Sequence, residues 1–170
     1  MGKGSDRCRV GIVMGSAKDW EVVRACADTL RELGVEFEVR VLSAHRTPQE
    51  TIEYAVGAAQ RDIRVIIAAA GYAAHLAGVV AAHSDLPVIG IPVTGMLGGL
   101  DALLSTVQMP RGVPVATVAV GKAGAVNAAV LAARILALSD HGLAQRLRQF
   151  RERMRRDTLA SQEALKEQIT

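Results

Sequence analysis

A chain of 170 residues, half of them apolar and with a net charge of +3 at neutral pH, is long enough to bury a core of its own. Aromatics make up only 3%, so its basic residues lack the stacking platform of a nucleic-acid binder. No apolar run has the length of a membrane span or the form of a signal peptide, Asp6 breaks the myristoylation pattern, and Cys8 and Cys26 form no metal-ligand or disulfide framework. The expectation is a soluble, cytoplasmic protein with no membrane or nucleic-acid partner.

Residues 1–8 are polar and expected to fray. Beyond them, runs rich in Val, Ile and Ala recur at Arg9–Met14, Glu36–Leu42, Arg64–Ala69, Pro87–Ile91 and Val113–Val120. Their near-continuous apolar character predicts strands buried on both faces of a parallel sheet. Between the first two, Asp19 is placed to cap a helix whose stripe is Val23, Cys26, Leu30 and Leu33, with Gly34 as its stop. Pro48 suits the first turn of a second helix reaching about Gln60, and 73–82, 97–108 and 123–138 read as three more. The alternation predicts a three-layer α/β/α fold with a central parallel sheet, flavodoxin-like, in strand order 2-1-3-4-5. Residues 1–170 are expected to form a single domain, with its core at about 9–138.

A further helix is expected at about 141–166. Leu143, Leu147, Phe150 and Met154 make its apolar stripe, and Arg146, Arg148, Arg151, Arg153, Arg155 and Arg156 crowd the rest. It is either an ordinary packing helix with a solvated basic face or an arm that packs on a neighbouring subunit.

In such sheets ligands bind beyond the carboxyl ends of the strands, so the loops after strands 1 to 3 hold the candidate chemistry. The first, Met14–Trp20, contains Gly15, Ser16 and Asp19: a phosphate or ribose cradle, or a plain turn with a helix cap. It matches neither a dinucleotide fingerprint nor a P-loop. The second, Ser43–Pro48, sets His45 beside Arg46 at a helix start. An arginine there suits a phosphate and a histidine suits proton transfer near neutral pH; a turn cap and a surface ion pair are the alternative. The third, Ala70–Leu76, is nearly all small residues, which lets backbone approach a ligand, with His75 expected as a partly buried, satisfied histidine of the following helix. His83 and His141 read as surface or cap residues, and no histidine or carboxylate spacing points to a metal.

Several motifs carry a resemblance: VMGSAKDW at 13–20, SAHRTP at 43–48, AAHL at 73–76, LPVIGIPV at 86–93, GLDALLSTVQMP at 99–110, GVPVATVAVG at 112–121 and AGAVNAA at 123–129. In that order they resemble the PurE family of N5-carboxyaminoimidazole ribonucleotide mutases, over about residues 9–138. The resemblance implies an isomerase of purine biosynthesis that converts a nitrogen-linked carbamate into its carbon-carboxylated isomer through CO2 and free aminoimidazole ribonucleotide. It implies no metal and no cofactor, a small ribonucleotide as partner, and a homo-oligomer, an octamer. Carried over by residue, His45 is the catalytic acid/base, Ser16, Ser43 and Arg46 hold the phosphate, and Asp19 holds the ribose. Gly71, Ala73, His75 and Leu76 complete the substrate site, the small residues at 69–74 forming a pocket that keeps CO2 near the ring carbon.

The chain departs from the family pattern where Tyr72 replaces a glycine, Ala77 a proline, and Ala17-Lys18 precede Asp19. A carboxylase that takes CO2 directly, and a non-catalytic nucleotide-binding module, are the competing readings; an intact His45 speaks against the second. A phospho-acceptor receiver domain is rejected, because strand 3 ends in Ala68-Ala69-Ala70 rather than in acidic residues.

Overall fold

The computed structural model describes residues 9–169; the expected fraying of 1–8, and Cys8 with it, lie outside the described residues. Five parallel strands, β1 (Val10–Met14), β2 (Phe37–Val41), β3 (Val65–Ala70), β4 (Val88–Pro92) and β5 (Ala116–Thr117), form one sheet in the order 2-1-3-4-5. The crossovers are α1 (Trp20–Glu32), α2 (Pro48–Gly57), α3 (Leu76–Ala82) and α4 (Leu100–Val107), followed by α5 (Gly121–Ala137) and α6 (His141–Ile169). Fold class and strand order agree with the sequence reading.

Alternation along the central strands sorts the core into two layers. Val10, Ile12, Met14, Val65, Ile67, Ala69, Ile89 and Ile91 pack on α1 and α5. Val13, Ile66, Ala68 and Val88 face the other way, onto α2 and α3. The predicted stripe of α1 is buried throughout, and Gly34 ends the helix in the left-handed region at φ 64°, turning the Val35 N–H back onto the Leu30 carbonyl at 2.9 Å. Gly90 in β4 allows α4 to approach: a Cβ there would stand 2.4 Å from Thr106 Cγ2.

The two edge strands differ from expectation. Three of the five residues of β2 are partly covered and none is buried, Arg40 and Val41 being exposed, and β5 shrinks from eight residues to two. An edge strand has a neighbour on one side only, so an apolar run there need not be buried on both faces. Pro114, which has no N–H, further shortens the pairing of β5. Helix α2 gives way at Ala59–Arg61 to a 3₁₀ turn, and the third predicted helix starts later, at Leu76.

α6 begins on a cap. Asp140 Oδ1 accepts the Leu143 N–H at 2.9 Å, and Oδ2 accepts from Arg9 Nη1 at 2.7 Å. These two contacts, in that order, hold the Asp140 carboxyl below its ordinary value. Leu143 is buried, Leu147 and Phe150 pack on the α1/α5 layer, and Arg146 donates to the Leu33 carbonyl at the end of α1 at 2.7 Å. Arg153 pairs with Glu32. From Arg151 to Lys166 every residue is exposed, Met154 included. The first half of α6 is therefore an ordinary packing helix.

An Asp140→Ala variant is expected to lose about 1 kcal/mol of stability through the cap, lowering Tm by roughly 2–4 °C in a protein of this size. Because folding depresses the Asp140 pKa, its contribution exists above the unfolded value of 3.8 and disappears as pH falls through the folded value. Thermal melts of both proteins should converge as pH falls into acid; a gap that stays the same from neutral pH into acid would remove the carboxylate from the explanation.

Candidate active site

The strand register gathers the loops. Met14 pairs with Val41 and Ala69, and Ala70 pairs with Pro92, so β1 to β4 end along one edge of the sheet. The segments that follow them, together with the start of α5, surround a cleft of about 810 Å³.

In the first segment Ser16 caps the turn Ala17–Asp19: its hydroxyl accepts the Lys18 N–H at 3.2 Å, and Asp19 Oδ2 accepts the Ser16 N–H at 3.0 Å. Asp19 makes no side-chain cap bond to α1, contrary to the sequence expectation. The 3₁₀ turn inserted ahead of α1 redirects its carboxylate onto Ser16. Burial pushes the Asp19 carboxyl up from its ordinary value, against the Ser16 N–H bond and the nearby Arg46 charge, which act to lower it.

The second segment is braced internally. Thr47 Oγ1 accepts the Ser43 N–H at 2.8 Å, and Ser43 Oγ accepts from both the Arg46 backbone N–H, at 3.2 Å, and Arg46 Nε, at 3.3 Å. Arg46 Nη2 donates to the Gly15 carbonyl, which ties the second segment to the first. Ser16, Asp19, Ser43 and Arg46 therefore form one polar wall of the cleft. Arg46 keeps further N–H groups for an anion, since a guanidinium has five.

His45 stands beside that wall. Its Nε2 lies 2.9 Å from Nδ1 of His75, with the ring planes at 89°. One nitrogen of the pair donates and the other accepts, so each ring fixes the tautomer and direction of its partner. His75 is thus not the partly buried helical histidine expected: it is exposed, directly precedes α3, and is spent on His45. A short α3 that starts at Leu76, after the tight turns through Tyr72 and Ala73, is what frees it. His83, whose Nδ1 contacts the Val79 carbonyl at 2.8 Å, and His141, first residue of α6, are surface residues as expected.

A model of the AIR carboxylase family matches residues 9–157. The chain belongs to the AIR carboxylase family. It is 55% identical over 157 residues to the N5-carboxyaminoimidazole ribonucleotide mutase of Bacillus subtilis, covering 92% of this chain and 97% of that one. To the N5-carboxyaminoimidazole ribonucleotide mutase of Thermotoga maritima it is 50% identical, over 94% of this chain and 92% of that one. Among solved structures, Treponema denticola PurE superposes with a TM-score of 0.84 at 29% identity, over 94% of this chain and 99% of that one.

In this AIR carboxylase family member all the site residues expected from the sequence lie along the one cleft, though not equally. Gly71 and Ala73 offer backbone and small side chains, whereas Leu76 is 2% exposed and lends the cleft little surface. Sequence reasoning stopped at three loops and missed Val93 and Thr94 after β4 and Gly121 and Lys122 after β5. The rule that pointed to the first three loops applies equally to those after strands 4 and 5. Tyr72, the replaced glycine, keeps a left-handed backbone at φ 55°, which for a residue with a side chain costs roughly 1–2 kcal/mol.

Among the described residues no cluster of three or more His, Cys, Asp or Glu is placed to hold a metal ion, and no helix is long and apolar enough to cross a membrane. Cys26 lies on the buried face of α1, where burial pushes its thiol up to about 12 and leaves it unreactive.

Proposed function

We infer that this chain is an N5-carboxyaminoimidazole ribonucleotide mutase of de novo purine biosynthesis, an isomerase acting on a small ribonucleotide. The observation that carries the reading of its site is the histidine pair, 2.9 Å apart, one residue along the chain from Arg46 and its anion-binding wall. The phosphate is assigned to Ser16, Ser43 and Arg46, and the ribose hydroxyls to Asp19. That leaves the base and its carboxyl group beside His45, along Gly71, Ala73 and His75.

His45 acts as acid and then as base. It donates a proton to the carbamate nitrogen, the N–C bond breaks, and CO2 and the neutral amine form. The enamine-like ring carbon attacks CO2 to make the C–C bond, and His45 takes the proton this carbon sheds. Protons and electrons balance, so the net change is isomerisation. His75 aims the imidazole throughout, and small residues around 69–74 keep CO2 within reach of the carbon. The decisive assay offers the N5-carboxylated substrate and, separately, the unmodified aminoimidazole ribonucleotide, each with and without bicarbonate. The mutase makes carbon-carboxylated product from the first without bicarbonate; product from the second alone, dependent on bicarbonate, would establish the direct carboxylase instead.

The assembly is read as a cytoplasmic homo-octamer of one-domain subunits. Support comes from the apolar residues that this chain leaves exposed, Leu97, Leu100, Leu104 and Val107 at and along α4, and Leu159 and Leu165 on the outer half of α6. Removing residues 155–170 deletes none of the packed core among the described residues, so the variant should fold yet assemble less stably. Light scattering at micromolar concentration checks both proteins; a monomeric parent would end the reading.

A further inference from the structure

The far end of the sheet brings one charged side chain to the cleft. Of the four described residues that the segments after β4 and β5 contribute, Val93, Thr94, Gly121 and Lys122, only Lys122 carries a charge. Its Nζ lies 3.8 Å from Oε1 of Glu21, two residues beyond Asp19. Trp20 and Val22, the chain neighbours of Glu21, pack into the α1/α5 layer, as do Ala125 and Ala128 of α5 itself. Ala44 and Leu76, the chain neighbours of His45 and His75, pack into the α2/α3 layer. Lys122 and Asp19 therefore share one side of the cleft, and the histidine pair stands on the other. The contact with Glu21 is loose, its two side chains 66% and 84% exposed, so turning the ammonium onto a ligand costs little.

Asp19 Oδ2 is taken by the Ser16 N–H at 3.0 Å, and Oδ1 makes no hydrogen bond among the described residues. A carboxylate only accepts and an ammonium only donates, whereas a hydroxyl does both. We propose that Lys122 is a second ribose ligand, its ammonium donating to the 2′,3′-hydroxyl pair from which the Asp19 carboxylate accepts. The proposal rests on the mutase reading and deepens its assignment of the ribose to Asp19. A diol between the two side chains satisfies both at once; a phosphate dianion would offer Asp19 no proton. A cation on the transferable carboxyl would hold the carbamate in its anionic ground state and oppose release of neutral CO2. On the side away from His45 a lysine has no such effect.

The test titrates aminoimidazole ribonucleotide, and its 2′-deoxy and 3′-deoxy counterparts, into the parent, Lys122→Met and Lys122→Arg by calorimetry, with kcat and KM measured alongside. Methionine keeps the stem and removes the charge at an exposed position, and thermal melts check folding. The parent should bind the ribonucleotide roughly tenfold more tightly than at least one deoxy form. Lys122→Met should weaken the ribonucleotide roughly tenfold and that deoxy form far less, and should raise KM with kcat little changed. Lys122→Arg should keep most of the parental affinity. Equal weakening of the ribonucleotide and both deoxy forms would put the ammonium on another part of the ligand and overturn the proposal, as would parental affinity in Lys122→Met. A parent that binds the ribonucleotide but makes no carbon-carboxylated product would overturn the mutase reading instead, with the deoxy comparison still deciding the role of the lysine.

Discussion

A His45→Asn variant is expected to fold and bind nucleotide but to turn over about 10²–10⁴-fold more slowly than the parent, with KM little changed, because the proposed general acid/base is lost while the proposed phosphate wall is untouched. Asparagine keeps much of the imidazole's size and can still meet His75, but it cannot carry a proton at neutral pH. His45 is exposed, so no core packing is removed. His75→Asn should be milder: it withdraws a partner that orients the ring at 2.9 Å and leaves the His45 imidazole in place. Initial rates of carbon-carboxylated product, with thermal melts as the folding control, compare the two. Near-parental kcat in a folded His45→Asn protein would remove the histidine from the proton path.

Arg46→Ala should raise KM by roughly 10- to 100-fold, the loss of a charge-assisted contact of about 1.5–3 kcal/mol, while kcat changes far less. The guanidinium already touches Ser43 Oγ and the Gly15 carbonyl, which hold its fork ready at the joint of two loops. Its replacement removes both the charge and that joint. Arg46→Lys restores the charge without the planar fork and should recover only part of the affinity. Ser16→Ala should have a smaller effect than either, since a neutral hydroxyl contributes less than a cation. Substrate saturation curves decide the matter; an unchanged KM for Arg46→Ala would place the phosphate elsewhere.

The central strands were legible because their environment is uniform. β1, β3 and β4 are flanked by strands and covered on both faces, and that demands unbroken Val, Ile and Ala, which the sequence displays. The edges were not. Phe37–Val41 carries enough apolar residues to read as buried, yet has one neighbour; Val113–Val120 reads as eight residues of strand and pairs through two. Local composition records propensity, and only the order of the sheet says which strand stands at its rim.

The candidate site divides in the same way. That the loops after strands 1 to 3 border one cleft, and that His45 and Arg46 stand together just ahead of a helix, was legible in the sequence alone, since parallel α/β units place polar loops at the carboxyl ends of their strands. The contact between His45 and His75, 30 residues apart, did not. It exists because a crossover returns β3 to the far side of β1 from β2, and because α3 starts late enough to leave His75 outside its first turn. Asp19 turned from helix cap to Ser16 partner for a comparable reason, an unforeseen 3₁₀ turn. Tyr72 is the sharpest case. The sequence shows a tyrosine where a glycine is usual, but whether it crowds the histidine, points away or spans two loops depends on a backbone angle and on the position of Gly95, and those are settled by packing across the sheet edge rather than by neighbours in the chain.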